Sequence, residues 1–188
     1  KPSRPRPSRT PARSPKGPSD AVSEPVGPWL AIEVDCGALA ENLRAFRRQT
    51  AAASEILAVV KADAYGHGLV PAASAFLSGG AGLLGVHALA EGRALRQAGI
   101  GAPIIVLGPV TAAEAAEAAR LGLEITVGSL PAVRAAVAAA TADHPLLIHL
   151  KVETGVNRQG LVESELDEAL ALLLATPGLQ LSGLSSHY

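Results

Sequence analysis

The sequence predicts an α/β fold, a parallel (β/α)8 barrel of the TIM type with about six of its eight strands present. Three observations point there. From residue 56 onward, short runs rich in Val, Ile and Leu alternate with Ala-rich stretches of helical period. Six such runs are separated by five helical stretches, the pattern of parallel βα units. The first of these runs leads into Lys-Ala-Asp-Ala-Tyr-Gly-His-Gly at residues 61–68. That is not the glycine fingerprint of an open dinucleotide-binding sheet, so the closed barrel is favoured over the doubly wound alternative.

The elements follow in order. Residues 1–28 are dominated by Pro, Ser and Arg and hold almost no large apolar side chain, which reads as a disordered tail. A plain linker is the first reading of that basic run and a nucleic-acid arm the second. Residues 29–188 form the folded part. Residues 30–34 read as a short strand, and Asp35 as the N-cap of a helix over 38–48. The alternation then gives strands over 56–61, 82–87, 103–107, 124–127, 146–151 and 179–185. The helices between them fall at 70–77, 90–98, 111–121, 130–140 and 163–175. Thr111 with Glu114 spells a capping box. Ser129 caps the next helix, whose first turn tolerates Pro131.

Composition excludes several classes of function. A formal net charge of -1 gives no electrostatic reason for nucleic acid or a membrane surface as partner. No run reaches the roughly 18 apolar residues needed to span a bilayer, so the chain reads as soluble. The single cysteine, Cys36, excludes an internal disulfide framework and a cysteine-based metal cluster, and no metal site is expected. Nothing basic surrounds Cys36, so it reads as an unreactive helix-start residue.

Three segments carry chemistry. The first is Ala58 to Gly68, where Lys61 closes an apolar run. Burying an unpaired ammonium is costly or forces its pKa down, and an amine of lowered pKa suits Schiff-base chemistry. The competing reading is a lysine snorkelling at a strand end. The second is residues 149–160, His-Leu-Lys-Val-Glu-Thr-Gly-Val-Asn-Arg-Gln-Gly, with Lys151 and Arg158 flanking Thr154-Gly155. Taken alone, it also reads as an exposed loop. The third is Gly183-Leu184-Ser185-Ser186-His187 after the sixth strand, where a lone histidine is commonly structural.

Residues 59–68 closely resemble the cofactor-attachment motif of alanine racemases. Residues 151–160 resemble that family's second signature, which usually reads Lys-hydrophobic-Asp-Thr-Gly-Met-x-Arg-hydrophobic-Gly. Here Glu153 stands for Asp, Val156 for Met and Gln159 for an apolar residue. With weaker matches at residues 29–48 and 84–99, the resemblance covers about residues 29–188. It implies that Lys61 attaches pyridoxal 5'-phosphate and acts as one of two catalytic bases, and that Tyr65 contacts the cofactor phosphate. It further implies that Arg158 lies beside the cofactor's phenolic oxygen and the substrate carboxylate, and that His187 packs on the pyridine ring. Lys151 matches a lysine that is often carbamylated.

The activity implied is an isomerase's, the interconversion of L- and D-alanine for peptidoglycan synthesis. The expected setting is a cytoplasmic homodimer, in which a tyrosine from the partner subunit's C-terminal β domain supplies the second base. Neither Tyr65 nor Tyr188 matches that tyrosine. The chain starts with Lys1, contains no methionine and stops just after a strand. It therefore reads as an incomplete piece, lacking two strands and the β domain and inactive alone. The alternatives are a non-catalytic pyridoxal-phosphate-binding protein on the same barrel, a barrel decarboxylase of basic amino acids, or a racemase of broader specificity.

Overall fold

The computed structural model describes residues 31–187. The proposed tail at 1–28 lies outside the described residues. The expected strand at 30–34 falls partly outside them too, and residues 31–35 carry no strand. That expectation is corrected: a short apolar run next to an N-cap is as compatible with an extended lead-in as with a paired strand. Asp35 does cap α1 (Cys36–Gln49), its Oδ1 accepting the Ala38 amide at 3.0 Å.

Six strands follow, β1 (Leu57–Val59), β2 (Leu83–Val86), β3 (Ile104–Val106), β4 (Glu124–Val127), β5 (Leu146–Lys151) and β6 (Leu179–Ser185). Every neighbouring pair is parallel, and the spatial order is β1-β2-β3-β4-β5-β6. A strictly sequential order has no switch point. With right-handed crossovers it puts all connecting helices on one face of the sheet, which is barrel rather than doubly wound topology. The sheet is open here, with β1 and β6 paired on one side only.

The helices are α3 (Leu69–Gly79), α4 (Leu89–Gln97), α5 (Ala112–Arg120), α6 (Leu130–Ala139) and α7 (Glu163–Ala175). The Thr111–Glu114 capping box forms, with the Thr111 amide donating to Glu114 Oε2 at 2.8 Å and the Glu114 amide to Thr111 Oγ1 at 3.3 Å. Ser129 caps α6. The core lies between sheet and helices, where Ile104, Val106, Ile125, Val127, Ile148 and Leu150 pack against small residues such as Ala115, Ala118 and Ala136. An aromatic-poor, Ala-rich composition thus serves close approach of helices to the sheet.

One element was not anticipated. Between β1 and α3 lies a one-turn segment, α2 (Lys61–Gly66), in which residues 62–65 are all left-handed, with φ of 51–54°. None of the four is glycine. Each costs about 1–2 kcal/mol relative to right-handed geometry, so surrounding contacts must hold the turn. β1 accordingly ends at Val59, and Lys61 opens this turn instead of closing the strand.

Candidate functional site

In a parallel sheet all strands end at the same edge, and the sequence-selected residues gather there. Lys61 follows β1, Lys151 ends β5, Arg158 sits on the loop after β5, and His187 follows β6. Lys61 is half-buried, one residue beyond the fully buried Val60. Tyr65 stands out from the left-handed turn, 66% exposed and free to meet a ligand. His67 turns back on its own segment, its Nδ1 2.9 Å from the Ala64 carbonyl, which fits a structural role.

The β5 strand alternates. Ile148 and Leu150 face the helices, so His149 and Lys151 face the other side, the inside of the barrel. Lys151 is the residue whose environment is most informative. Burial, then the nearby positive charges of Arg158 and Lys61, push its pKa down, and Glu153 only partly opposes them. Three cations from three separate chain positions therefore share one field at the barrel mouth. Such a cluster is costly by itself and is relieved by an anion or by loss of a proton.

The loop carrying Arg158 is stapled at its base. Val152 and Leu161 form an isolated parallel bridge, the Leu161 amide donates to the Lys151 carbonyl at 2.8 Å, and the Glu153 amide to the Leu161 carbonyl at 2.9 Å. Inside the loop the Glu153 carboxylate takes the Gly155 amide at 2.6 Å. Its pKa is held below the ordinary carboxylate range by the amide of Asn157 first and by those of Gly155, Arg158 and Val156, against a smaller effect of burial. Glu153 is thus the loop's internal anion. Gly160 has no room for a side chain, since a Cβ there would sit 2.4 Å from the Glu153 nitrogen. Thr154 joins the loop to the end of β6. Its hydroxyl lies 2.5 Å from that of Ser186 and donates to the His187 carbonyl at 3.3 Å.

Two residues with site contacts had no role assigned from sequence. Glu91, at the start of α4, binds three amides at the barrel mouth, that of Ala62 at 2.6 Å, His87 at 2.7 Å and Ala88 at 3.0 Å. A Glu three residues after an N-cap position is a visible half of a capping box, but its reach to Ala62 is tertiary and leaves no sequence signal. Thr154 is the other; its partners lie 32 and 33 residues on. Among the described residues no group of three His, Cys, Asp or Glu side chains is placed to hold a metal ion. No helix among them is long and apolar enough to cross a membrane. Cys36 is exposed at the first position of α1.

Comparison with known proteins fits this geometry. Residues 34–188 match the family model described as "Alanine racemase, N-terminal domain". The chain is 40% identical over 161 residues to "Alanine racemase 1" of Oceanobacillus iheyensis, covering 85% of this chain and 42% of that protein. The crystal structure of alanine racemase from E. faecalis superposes with a TM-score of 0.78 at 32% identity, over 82% of this chain and 43% of that one. A histidine racemase from Leuconostoc mesenteroides superposes with a TM-score of 0.75 at 30% identity, over 82% and 42%. The chain spans less than half the length of each of these proteins.

Proposed function

Because the chain belongs to the alanine racemase N-terminal domain family, we propose that it is the cofactor-binding part of a pyridoxal-phosphate-dependent isomerase that interconverts L- and D-alanine. The observation that carries this reading is the convergence of Lys61, Lys151 and Arg158 on one field at the C-terminal ends of the strands.

The residues fit the cofactor. A phosphorylated aromatic aldehyde needs an amine to attach to and positive charge around it. Lys61 offers the amine, half-buried and presented by a turn of fixed shape. Gly66, where a Cβ would meet nothing within 4 Å, leaves open space beside it. Tyr65 is free to donate to a phosphate oxygen, Arg158 offers a planar fork to a phenolate or a carboxylate, and His187 lies at the edge where a ring would rest. When bound, pyridoxal phosphate supplies the electron sink that renders the α-proton of an amino acid removable. The protein supplies the rest. Lys61 holds the cofactor and then, as a free amine, moves the α-proton on one face of the substrate. Arg158 orients the substrate carboxylate.

Lys151 adds a further piece of chemistry. A lysine of lowered pKa is more often neutral, and a neutral amine adds to carbon dioxide with release of one proton. The resulting carbamate is an anion, which converts the repulsion between Lys151 and Arg158 into an attraction that holds Arg158 in place.

Racemisation needs a second base on the opposite face. The family resemblance assigns it to a tyrosine of a partner subunit in a homodimer, outside this chain. The open edges of β1 and β6, with Leu181 and Leu184 of β6 exposed at 40% and 69%, support further strands covering them in the whole protein. The setting proposed is cytoplasmic supply of D-alanine to peptidoglycan, as the family resemblance implies. A second reading, a racemase of another amino acid, is favoured by one observation, the superposition on a histidine racemase.

The test is to add pyridoxal phosphate to the full-length protein, reduce it with borohydride, locate the modified lysine by mass spectrometry and assay racemisation of alanine and histidine. Modification at Lys61 with alanine turnover is the expected result. Modification with histidine turnover alone would move the substrate to the second reading. Modification without turnover would leave a cofactor-handling protein, and no modification at Lys61 would overturn the proposal.

A further inference from the structure

We propose that Glu91 is the positioning residue of Lys61: its carboxylate locks the left-handed turn that presents the lysine to the loop between β2 and α4. This rests on the reading of Lys61 as the cofactor lysine. Residues 62–65 occupy a conformation that non-glycine residues avoid, four times in succession. Contacts within the segment satisfy part of it. The Ala64 amide donates to the Val60 carbonyl at 2.9 Å, the Gly68 amide to the Asp63 carbonyl at 3.0 Å, and the Leu69 amide to Asp63 Oδ1 at 2.7 Å. The last of these reaches the first residue of α3, the Val60 amide donates to the Gly85 carbonyl at 2.8 Å, and Ala64 is buried in the core, but none of these contacts holds the peptide between Lys61 and Ala62.

Glu91 supplies what they do not, a side-chain hold on that peptide from an element remote in sequence. Oε1 takes the Ala62 amide at 2.6 Å, and Oε2 takes the amides of His87 at 2.7 Å and Ala88 at 3.0 Å. Ala62 directly follows Lys61, so the bond fixes the peptide that leaves the lysine's own Cα. Both oxygens must accept, one toward each side. Only an ionised carboxylate does this; an amide at the same position turns an N–H toward one of the donors. The group is suited to the task. Burial opposes its charge, but the amides of Ala88, Ala62 and His87, with the nearby His87, outweigh that and hold its pKa below the ordinary carboxylate value. Glu91 also caps α4, whose N-cap Ala88 has no side-chain acceptor. A variant lacking Glu91 therefore loses a cap as well as the lock, and the two effects need separating.

The experiment compares Glu91→Gln, Glu91→Ala and the double variant Ala88→Ser/Glu91→Ala in the full-length protein. The serine hydroxyl restores a side-chain cap to α4 without reaching Ala62. Two readouts are taken. One is hydrogen exchange at residues 62–65 without cofactor, and the other is the affinity for pyridoxal phosphate with borohydride trapping at Lys61. The expected result is that the double variant regains the wild-type melting temperature and α4 protection. Exchange at 62–65 nevertheless stays roughly tenfold faster and cofactor affinity roughly tenfold weaker, as for loss of a charge-assisted hydrogen bond. Glu91→Gln behaves likewise. Exchange and affinity both returning to wild type in the double variant would overturn the proposal, because Glu91 would then be a helix cap and nothing more. If the wild-type protein itself takes no cofactor at Lys61, the functional reading fails on that result alone, and the exchange data still decide whether Glu91 locks the turn.

Discussion

His149 of β5 and Glu124 of β4 face each other across the inner side of the sheet, with Nε2 and Oε2 2.6 Å apart. Ser182 donates to the same oxygen at 3.0 Å. The β6 register slips between Ile148 and His149, so that Ile148 pairs with Leu181 and His149 with Gly183. The slip is a bulge that leaves Ser182 unpaired and turns its hydroxyl toward Glu124. Gly183 belongs to the same arrangement, since a Cβ there would lie 2.9 Å from His149 Nδ1. Three strands below the barrel mouth are thereby tied by one nearly buried carboxylate.

The first prediction follows from that carboxylate's double use. Glu124→Ala leaves a half-buried histidine and a hydroxyl without their shared partner, and the expected loss is about 1–3 kcal/mol of folding stability. Ser182→Ala removes one neutral donor while His149 keeps its partner, so the loss should stay near or below about 1 kcal/mol. Urea unfolding of the full-length protein measures both. Equal losses in the two variants would show that Glu124 does not organise the network.

A second prediction concerns Lys151, whose folded-state pKa is depressed by burial and by Arg158 and Lys61. The unfolded chain then binds more protons between the depressed value and the ordinary lysine value. Stability therefore rises with pH across that window, and the cost of the charged form is fully present below it. Labelling of lysines with acetic anhydride as a function of pH should give Lys151 a midpoint below that of free lysine. Arg158→Ala should move the midpoint back upward by removing one of the repelling charges. A Lys151 midpoint at or above that of free lysine would contradict the account. The same neutral amine should take up labelled carbonate.

Much of this site was legible in the sequence, and the boundary of legibility has a physical cause. β4, β5, β6 and α7 lie where the apolar period placed them, because local burial pattern decides such elements. Lys61, Lys151 and Arg158 could be singled out as candidates because their motifs are contiguous, and the structure brings them to one end of the sheet. The left-handed turn was not legible, since only Asp63 of Ala-Asp-Ala-Tyr tolerates left-handed geometry readily and a run of four is held by contacts such as that of Glu91 to Ala62. The strand expected at 30–34 failed for the complementary reason. Five residues of apolar and charged type have no intrinsic pairing, and residues 31–35 have no partner strand.

The third prediction separates the charge of Glu153 from its shape. Its carboxylate gathers loop amides from Gly155 to Arg158, and they hold its pKa down. A depressed carboxylate stabilises the folded loop above its unfolded pKa, and that support is lost as pH falls through the lowered folded value. The support that Glu153 gives the loop should thus fade as pH falls from the ordinary carboxylate value toward the lowered one. Glu153→Gln removes the charge at nearly constant size. Amides 155–158 should then exchange roughly tenfold faster, with little change in the rest of the barrel. Hydrogen exchange read by mass spectrometry decides it, and unaltered protection in the variant would assign the loop's order to the Val152–Leu161 bridge alone.

The last prediction uses the backbone of the turn as its own control. Ala62 has φ 52° and is exposed, so its methyl group contributes strain and almost no packing. Ala62→Gly relieves a left-handed penalty of about 1–2 kcal/mol and adds roughly 1 kcal/mol of unfolded-state freedom. The net effect should lie between neutral and about 1 kcal/mol stabilising. Ala72, in α3, is right-handed and fully buried, so Ala72→Gly should cost about 1 kcal/mol from helix propensity and more from the methyl-sized void. The two substitutions are chemically identical and should differ in sign or by at least about 1 kcal/mol. Thermal unfolding of both variants measures the difference. Equal destabilisation would mean that residue 62 is not left-handed in solution, and the presentation of Lys61 by a strained turn would fall with it.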